Sequence, residues 1–449
     1  MSKKITFIQR RNFIKKTGLG LFGLTLAPAV FANIKAGGRL RTAHIGVGNM
    51  GMEDLKAISS HALVDVTALC DVDVNNLAAA AKLHPKAKTY SDYRTMLKEM
   101  EDEIDAVIVS TPDHTHAPAS MMAMKMEKPV YCQKPLTHYV IEARKMKALA
   151  KKNNLVTQMG IQVHSFYDYK LATLLIQSGI IGKVHTVRAW SPKNWGYDGP
   201  EPIGSDPIPE TLDWNLWLGT SAERPYKANV YHPANWRQLV DYGCGTLGDM
   251  GVHIFDTPYN ALALDVPRTI VNECREPNGF GFPVNNTVTY EFPETPYTAE
   301  SLKWVWYDGP GAPPKHEDLM LPNGEELPDQ GAMFIGEKGR LLLPHFQQLP
   351  RKIVGGKYVE MDIESFNLGK PVKDYASESK KHYHQFVDAC LGNGKTTAPF
   401  DYSAKLTETI LLGVIAGRFP NETLNWDSKK GKFAERKANK FLNGKYRKF

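Results

Sequence analysis

The stretch Leu40-Arg-Thr-Ala-His-Ile-Gly-Val-Gly-Asn-Met-Gly51 decides how the rest of the chain is read. A short strand breaks into a glycine turn, and a helix is expected from about Met52. Gly46, Gly48 and Gly51 fit G-x-G-x-x-G. Each glycine has its own task in a dinucleotide site. The first permits a tight turn, the second lets backbone approach a pyrophosphate, and the third lets helix and strand pack closely. The helix N-terminus then offers unpaired N–H groups and partial positive charge to the phosphates. A second strand, Val64-Asp-Val-Thr-Ala-Leu-Cys70, ends at Asp71. That is the place of a carboxylate that holds ribose hydroxyls. Asn49 and Met50, inside the turn, join the candidate cofactor contacts.

The alternation continues. Residues 75–83 and 93–100 read as helices. Ile104-Asp-Ala-Val-Ile-Val-Ser110 reads as a buried parallel strand by its unbroken apolar run. It ends in Thr111-Pro-Asp-His-Thr-His-Ala-Pro118, a polar loop where ligands bind in open α/β sheets. Thr111, Pro112, His114 and His116 are candidate cofactor contacts. The two histidines have an alternative role as metal ligands, but no metal is expected. A further strand, 128–133, ends in Gln133-Lys134-Pro135, and a lysine before proline is held extended or in a turn. Gln133 is a candidate cofactor contact. A helix over 141–153 and a strand over 155–161 complete one doubly wound parallel sheet of the Rossmann type, residues 39–162.

Beyond Gln162 the texture changes. Trp190, Trp195, Trp214, Trp217 and Trp236 cluster among Pro and Gly, suited either to a core or to the apolar face of a sugar. Gln162, Trp236 and Arg237 are candidate substrate contacts. In Gly248-Asp-Met-Gly-Val-His253, Asp249 and His253 are four apart. On a helix they share one face, as an acid–base pair or as a structural histidine beside an aspartate. Runs at 287–292, 301–307 and 339–343 predict a predominantly antiparallel open sheet, and 382–391 and 404–419 predict helices. Residues 163–427 are therefore expected to form a C-terminal α+β domain.

Composition narrows the function classes. The 449 residues are 42% hydrophobic and 23% charged, ordinary for a globular protein. Six of the seven net positive charges fall in residues 1–32, which contain no acid. A basic tail, residues 428–449, carries nine Lys/Arg against Glu435. The body between them is mildly acidic, so no nucleic-acid partner is expected. The tail also carries Phe433, Phe441, Leu442 and Tyr446, and is expected to be solvated and partly docked. Cys70, Cys132, Cys244, Cys274 and Cys390 show no C-x-x-C and read as buried thiols. In residues 9–32, Arg10-Arg11 precedes a moderately apolar, glycine-containing stretch with a small-residue end near Ala32. This is signal-peptide architecture of the twin-arginine type, with a general secretory signal as the alternative. It predicts a periplasmic or exported protein, with no membrane span after signal removal. Such a protein would have to carry its dinucleotide tightly and restore its redox state within each cycle.

Together, Ala43-His-Ile-Gly-Val-Gly-Asn-Met-Gly51, Thr111-Pro-Asp-His-Thr-His116, Gln133-Lys134-Pro135 and Gly248-Asp-Met-Gly-Val-His253 resemble the Gfo/Idh/MocA family of sugar and cyclitol oxidoreductases. The resemblance implies a Rossmann domain and a C-terminal domain whose open sheet faces the nicotinamide and supports homo-oligomers. It implies Lys134, Asp249 and His253 as catalytic residues acting on a carbohydrate or polyol. One departure is plain: the family's Glu-Lys-Pro is here Gln133-Lys134-Pro135. His253 fits a base near neutral pKa that takes a hydroxyl proton, Asp249 a group that orients substrate or stabilises charge on the ring, and Lys134 a donor to the developing alkoxide. Asp71 and the lack of a closely following arginine favour NAD over NADP. Two other readings stay open: a redox-neutral NAD-dependent glycosidase or epimerase, and a non-catalytic carbohydrate- or cofactor-binding protein.

Overall fold

The computed structural model describes residues 38–371 and 374–449. The signal-like residues 1–32 lie outside the described residues. The first sheet is built from β1 (Leu40–Ile45), β2 (Val64–Cys70), β3 (Lys88–Tyr90), β4 (Ala106–Val109), β5 (Val130–Gln133) and β6 (Thr157–Gly160). All its pairings are parallel and its order is β3-β2-β1-β4-β5-β6. Strands β4, β5 and β6 are buried along their whole length, as two covered faces require. The crossovers are α1 (Met50–Ser59), α2 (Val74–Leu83), α3 (Tyr93–Glu99), α4 (Asp113–Lys125) and α5 (Val140–Lys152). Helix α1 starts at Met50, two residues ahead of the sequence expectation.

The rest of the chain supplies α6 (Tyr167–Gln177), β7 (Val184–Ser191), α7 (Trp214–Leu218), α8 (Val252–Ala261), β8 (Thr269–Glu273), β9 (Asn286–Pro293), β10 (Thr298–Asp308), β11 (Gly331–Gly336), β12 (Gly339–Pro344), β13 (Arg351–Val354) and β14 (Lys357–Val359). Helices α9 (Tyr375–Cys390) and α10 (Phe400–Ala416) and strands β15 (Leu424–Asp427) and β16 (Lys432–Phe433) follow. The second sheet has ten strands in the order β14-β13-β12-β11-β7-β10-β9-β8-β15-β16. The central β7–β10 pair is parallel, and the other pairings are antiparallel. Helix α8 lies on one face, where Phe255 stacks on Trp304 with ring centroids 4.2 Å apart. The other face holds a separate core of Trp190, Val305, Met333 and Leu342, covered by Leu319 and Leu321.

Helix α9 belongs late in the sequence but packs on the first sheet. Tyr383, Phe386, Val387 and Cys390 form one buried cluster with Leu40, Ile58, Val64, Ala106, Ile108 and Tyr131. Burying a Phe or Val side chain contributes about 1.5–3 kcal/mol each, so this helix is a structural part of the first layer. The tail docks more fully than its charge suggests. Phe433, Ala438 and Leu442 are buried, and Ile141 N–H donates to the Leu442 carbonyl at 3.0 Å. Four cysteines are buried, and Cys274 is partly exposed.

Candidate functional site

A cleft of about 340 Å³ runs along the carboxyl ends of the first sheet's strands and beneath α8. One end of it is made by the glycine turn. Gly46 has φ +81, and a Cβ there would come 2.7 Å from the Ser110 carbonyl oxygen, so only glycine suits the turn. Gly48, Asn49 and Met50 line the cleft. No described side chain caps α1. The N–H groups of Gly51 and Met52 close the turn on the Gly48 and Asn49 carbonyls at 2.8 and 3.1 Å. Gly51 does not line the cleft. A Cβ on it would lie 2.1 Å from the Gly46 carbonyl oxygen, so it serves the close approach of helix and turn.

Asp71 lines the cleft at the end of β2. Its carboxylate accepts from the backbone N–H of Val47 at 2.8 Å and of Asp73 at 2.9 Å. Burial raises its pKa, and those donors oppose the rise. Two fixed donors orient the group and leave lone pairs toward the cleft. Thr111, Pro112 and His116 line the middle. The His116 ring nitrogens lie 2.8 Å from the carbonyl oxygens of Pro135 and Thr111, tying two cleft loops together. His114, expected beside the cofactor, does not line the cleft. It is fully buried outside the cleft lining, 3.1 Å from the Trp217 carbonyl oxygen, and packs against the Trp217 and Tyr242 rings. Adjacent helix positions point to different sides, so His114 faces the neighbouring aromatic cluster.

At the far end Lys134, Asp249 and His253 all line the cleft. Lys134 Nζ donates to Asp249 Oδ1 at 2.7 Å and to its carbonyl at 3.1 Å. Asp249 Oδ2 accepts from Trp195 Nε1 at 2.7 Å, and Arg237 Nε lies 3.4 Å from Oδ1. Burial alone would raise the Asp249 pKa, but the Lys134 and Arg237 cations hold it well below the usual carboxylate range.

The expected Asp249–His253 pairing is not what the backbone builds. Leu247–Gly251 is one π-helical turn ahead of α8, so a spacing of four there is less than a full turn. A Cβ on Gly248 would come 2.2 Å from Cys244 Cβ, so this turn packs tightly on the chain before it. Asp249 is committed to Lys134 and Trp195. The buried Nδ1 of His253 has no hydrogen-bond partner among the described residues. Nor is His253 near neutral pKa: burial, then the Lys134 cation and His345, push it well below 6.5. It is a neutral imidazole, able to accept a proton.

Several lining residues carried no local signal. Asp113 is the first residue of α4, in a stretch expected to be a loop and singled out for its neighbours. Burial pushes its carboxyl up to about 7 against the pull of Arg237 and Lys134. Lys193, His232, Tyr375 and Phe449 also line the cleft, brought there by loops, by the start of α9 and by the tail. The tryptophans divide. Trp190 is core, Trp214 and Trp217 stack 4.7 Å apart, and Trp217 and Trp236 present surface to the cleft. Trp236 carries the Arg237 guanidinium 4.3 Å from its ring centroid. Gln162 lines the cleft with its amide donating to Tyr383 OH at 2.7 Å.

The departure at Gln133 has a partner. Its Nε2 donates to both oxygens of Asp54 at 2.9 Å, and its Oε1 accepts from the Lys134 backbone N–H at 3.2 Å. Asp54 also accepts from Ser110 Oγ at 2.6 Å and Tyr383 OH at 2.8 Å, and burial raises its pKa to about 6.

Residues 40–161 match a family model described as an oxidoreductase family with an NAD-binding Rossmann fold. Residues 168–272 match the C-terminal alpha/beta domain of the same oxidoreductase family. The uncharacterized oxidoreductase YrbE of Bacillus subtilis is 24% identical over 173 residues, 38% of this chain and 46% of that protein. The inositol 2-dehydrogenase of Salmonella typhimurium is 27% identical over 147 residues, 32% of this chain and 43% of that protein. The chain thus spans less than half the length of these curated relatives. An oxidoreductase domain protein from Kribbella flavida has the same fold, with TM-score 0.63 and 20% identity over 87% of this chain and 100% of that one. So does an inositol dehydrogenase homolog from Azotobacter vinelandii, solved with NADH and myo-inositol. Its TM-score is 0.61 at 15% identity, over 87% of this chain and 98% of that one. With both domain models matched in order, and the glycine turn and Lys134 set on one cleft between the two sheets, the chain belongs to the Gfo/Idh/MocA family of oxidoreductases.

Proposed function

We propose that the protein oxidises a hydroxyl of a carbohydrate or polyol, with NAD held along the cleft. One observation carries this reading: the glycine turn and Asp71 occupy one end of the same cleft that has Lys134, Asp249 and His253 at the other. The residues fit a dinucleotide. Neither Gly46 nor Gly48 has room for a Cβ, which would run into the Ser110 carbonyl oxygen or the Asn76 side chain, so the turn stays tight at the edge of the cleft, and the α1 terminus is uncapped by side chains. When bound, the nicotinamide supplies a hydride acceptor. Lys134, steered by Asp249, donates a hydrogen bond to the substrate hydroxyl and stabilises negative charge as its proton leaves. Neutral His253 is the group placed to accept that proton, against a pKa that burial and the Lys134 cation depress. Asp249 keeps Lys134 aligned and does not itself titrate near neutral pH.

NAD is favoured over NADP because a 2′-phosphate would meet Asp71 and Asp92. The nearby Arg94 is already paired with Asp92 at 2.7 Å. Tight retention of the cofactor and export by the twin-arginine route belong to the same proposal, and a redox-neutral glycosidase or epimerase is its alternative. Residues 9–32 alone support export.

The test is mass spectrometry of protein purified under native conditions, followed by incubation with glycosides and polyols without added cofactor. Co-purified NAD(H) that changes redox state with a polyol supports net oxidation. Aglycone release without net NADH moves the reading to the redox-neutral cycle. Absence of nucleotide together with failure to bind supplied NAD sinks the proposal.

A further inference from the structure

The last eight residues cross from α5 to the cleft. Tyr446 OH donates to Glu142. Arg447 N–H donates to the Thr220 carbonyl at 2.9 Å, and its guanidinium donates to Asn215 Oδ1 at 2.7 Å, the Asn215 carbonyl at 3.0 Å and the Ser221 carbonyl at 3.0 Å. These anchors deliver Phe449 into the lining of the cleft. There the Arg94 guanidinium lies 3.9 Å from the Phe449 ring centroid and also donates to the Phe449 main-chain oxygen. Arg94 is itself fixed by Asp92, which contacts it through both carboxylate oxygens at 2.7–3.1 Å. The opposite wall is close, since a Cβ on Gly219 would lie 3.8 Å from Phe449 Cζ and 3.7 Å from Thr115 Oγ1.

The sheet order says which half of a dinucleotide this platform meets. Strands β2 and β3 lie on one side of β1, and β4, β5 and β6 lie on the other. Lys134 follows β5. Asp71 follows β2, and Asp92, Tyr93 and Arg94 follow β3. Phe449 rests on Arg94, so it stands at the Asp71 side, away from the lysine. An aromatic ring backed by a guanidinium, beside a ribose-binding carboxylate, is a surface for a purine face.

We propose that Phe449, seated by Arg94 and Arg447, is a cofactor-binding residue that closes over the adenosine half of the dinucleotide and slows its release. This rests on the cleft being the NAD site, and it assigns the docked tail a task within that site. Phe449 touches the base, whereas Arg447 acts through it as a positioning residue.

The test follows bound NADH by fluorescence in the full chain after mixing with excess ADP-ribose. Phe449→Ala should speed release by roughly 5- to 100-fold, the range of one lost base–aromatic stack. Arg447→Ala should speed it in the same direction, and Phe449→Tyr should restore slow release. AMP affinity should fall with Phe449→Ala by a similar factor, which places the contact on the adenosine side. Unfolding midpoints of all variants are measured alongside. Should Phe449→Ala fail to fold, Arg447→Ala, which leaves the ring in place but unanchored, carries the test. If the wild type retains NADH and both variants release it at the wild-type rate, the inference fails while the proposed function stands. If the wild type binds neither NADH nor NAD, the proposed function fails and takes the inference with it.

Discussion

The Gln133 side-chain amide donates to both carboxylate oxygens of Asp54, 2.9 Å from each, at a site where both residues are buried. A glutamate at 133 would set two buried carboxyls against each other. Here the acid stands on α1 and the amide on β5, so the pair keeps one charge and one well-placed donor. Gln133→Glu should cost roughly 2–4 kcal/mol at pH 8, the scale of an uncompensated buried charge. The raised Asp54 value, about 6, gives the sign: stability present at low pH is lost as pH rises through it. The variant should therefore recover at pH 5.5, where the pair shares a proton, and Asp54→Asn in the same chain should restore it at pH 8. Denaturant midpoints of the single and double variants decide this. A pH-independent loss that the second change does not relieve would count against the pairing.

Lys134→Met should lower kcat by about 100- to 1,000-fold, since both the donor to the hydroxyl and the alignment by Asp249 go with it. It should also move the pH profile. His253 lies well below 6.5 because of burial first and the Lys134 cation next. Removing the cation lets the ring's pKa rise, so the acid limb of kcat/KM should shift to higher pH in the variant. A limb that stays put or shifts down would separate His253 from Lys134.

His44, on β1, is almost fully buried, and burial first and His84 second push it down to about 3. Its folded pKa is depressed below the unfolded 6.5. The stability it permits is present above 6.5 and lost as pH falls toward 3. At pH 5 this amounts to about 2 kcal/mol relative to neutral pH. Urea unfolding of wild type and His44→Leu at pH 7.5 and pH 5 should show the difference between them moving by that amount in favour of the variant. An unchanged difference would mean that His44 does not resist protonation in the fold.

What the sequence made legible was local. The glycine turn, the strand ending at Asp71 and the unbroken apolar strand before Thr111 each follow from neighbouring residues. The antiparallel second sheet followed from short alternating runs. The rest depended on distance or on backbone detail. Asp54 and Gln133 are separated by 79 positions, and neither announces the other. The four-residue spacing of Asp249 and His253 assumes an α-helix, and the π turn breaks that assumption. His114 and His116 look equivalent in a string, yet one faces an aromatic core and the other the cleft. Phe449 reaches the site only because Arg447 and Tyr446 are anchored on other parts of the fold.

Phe386→Ala, on α9, should destabilise the protein by about 3–5 kcal/mol, because the ring is fully buried against the first sheet. The loss should extend to the nucleotide cleft, read as weaker NAD binding near the unfolding midpoint. A variant as stable as wild type would show that α9 is dispensable to the first layer.

That late helix also bears on how the molecule is made. Leu40, Ala106, Ile108 and Tyr131 emerge from the ribosome early, but the side chains that cover them come from residues 383–390. Until those are synthesised, the nascent N-terminal half carries an apolar sheet face that α1 covers only in part, through Ile58, the kind of surface that invites aggregation and chaperones. A fragment ending after β6 would keep that face permanently. Completion of the nucleotide-binding half thus waits until residues 383–390 have been made.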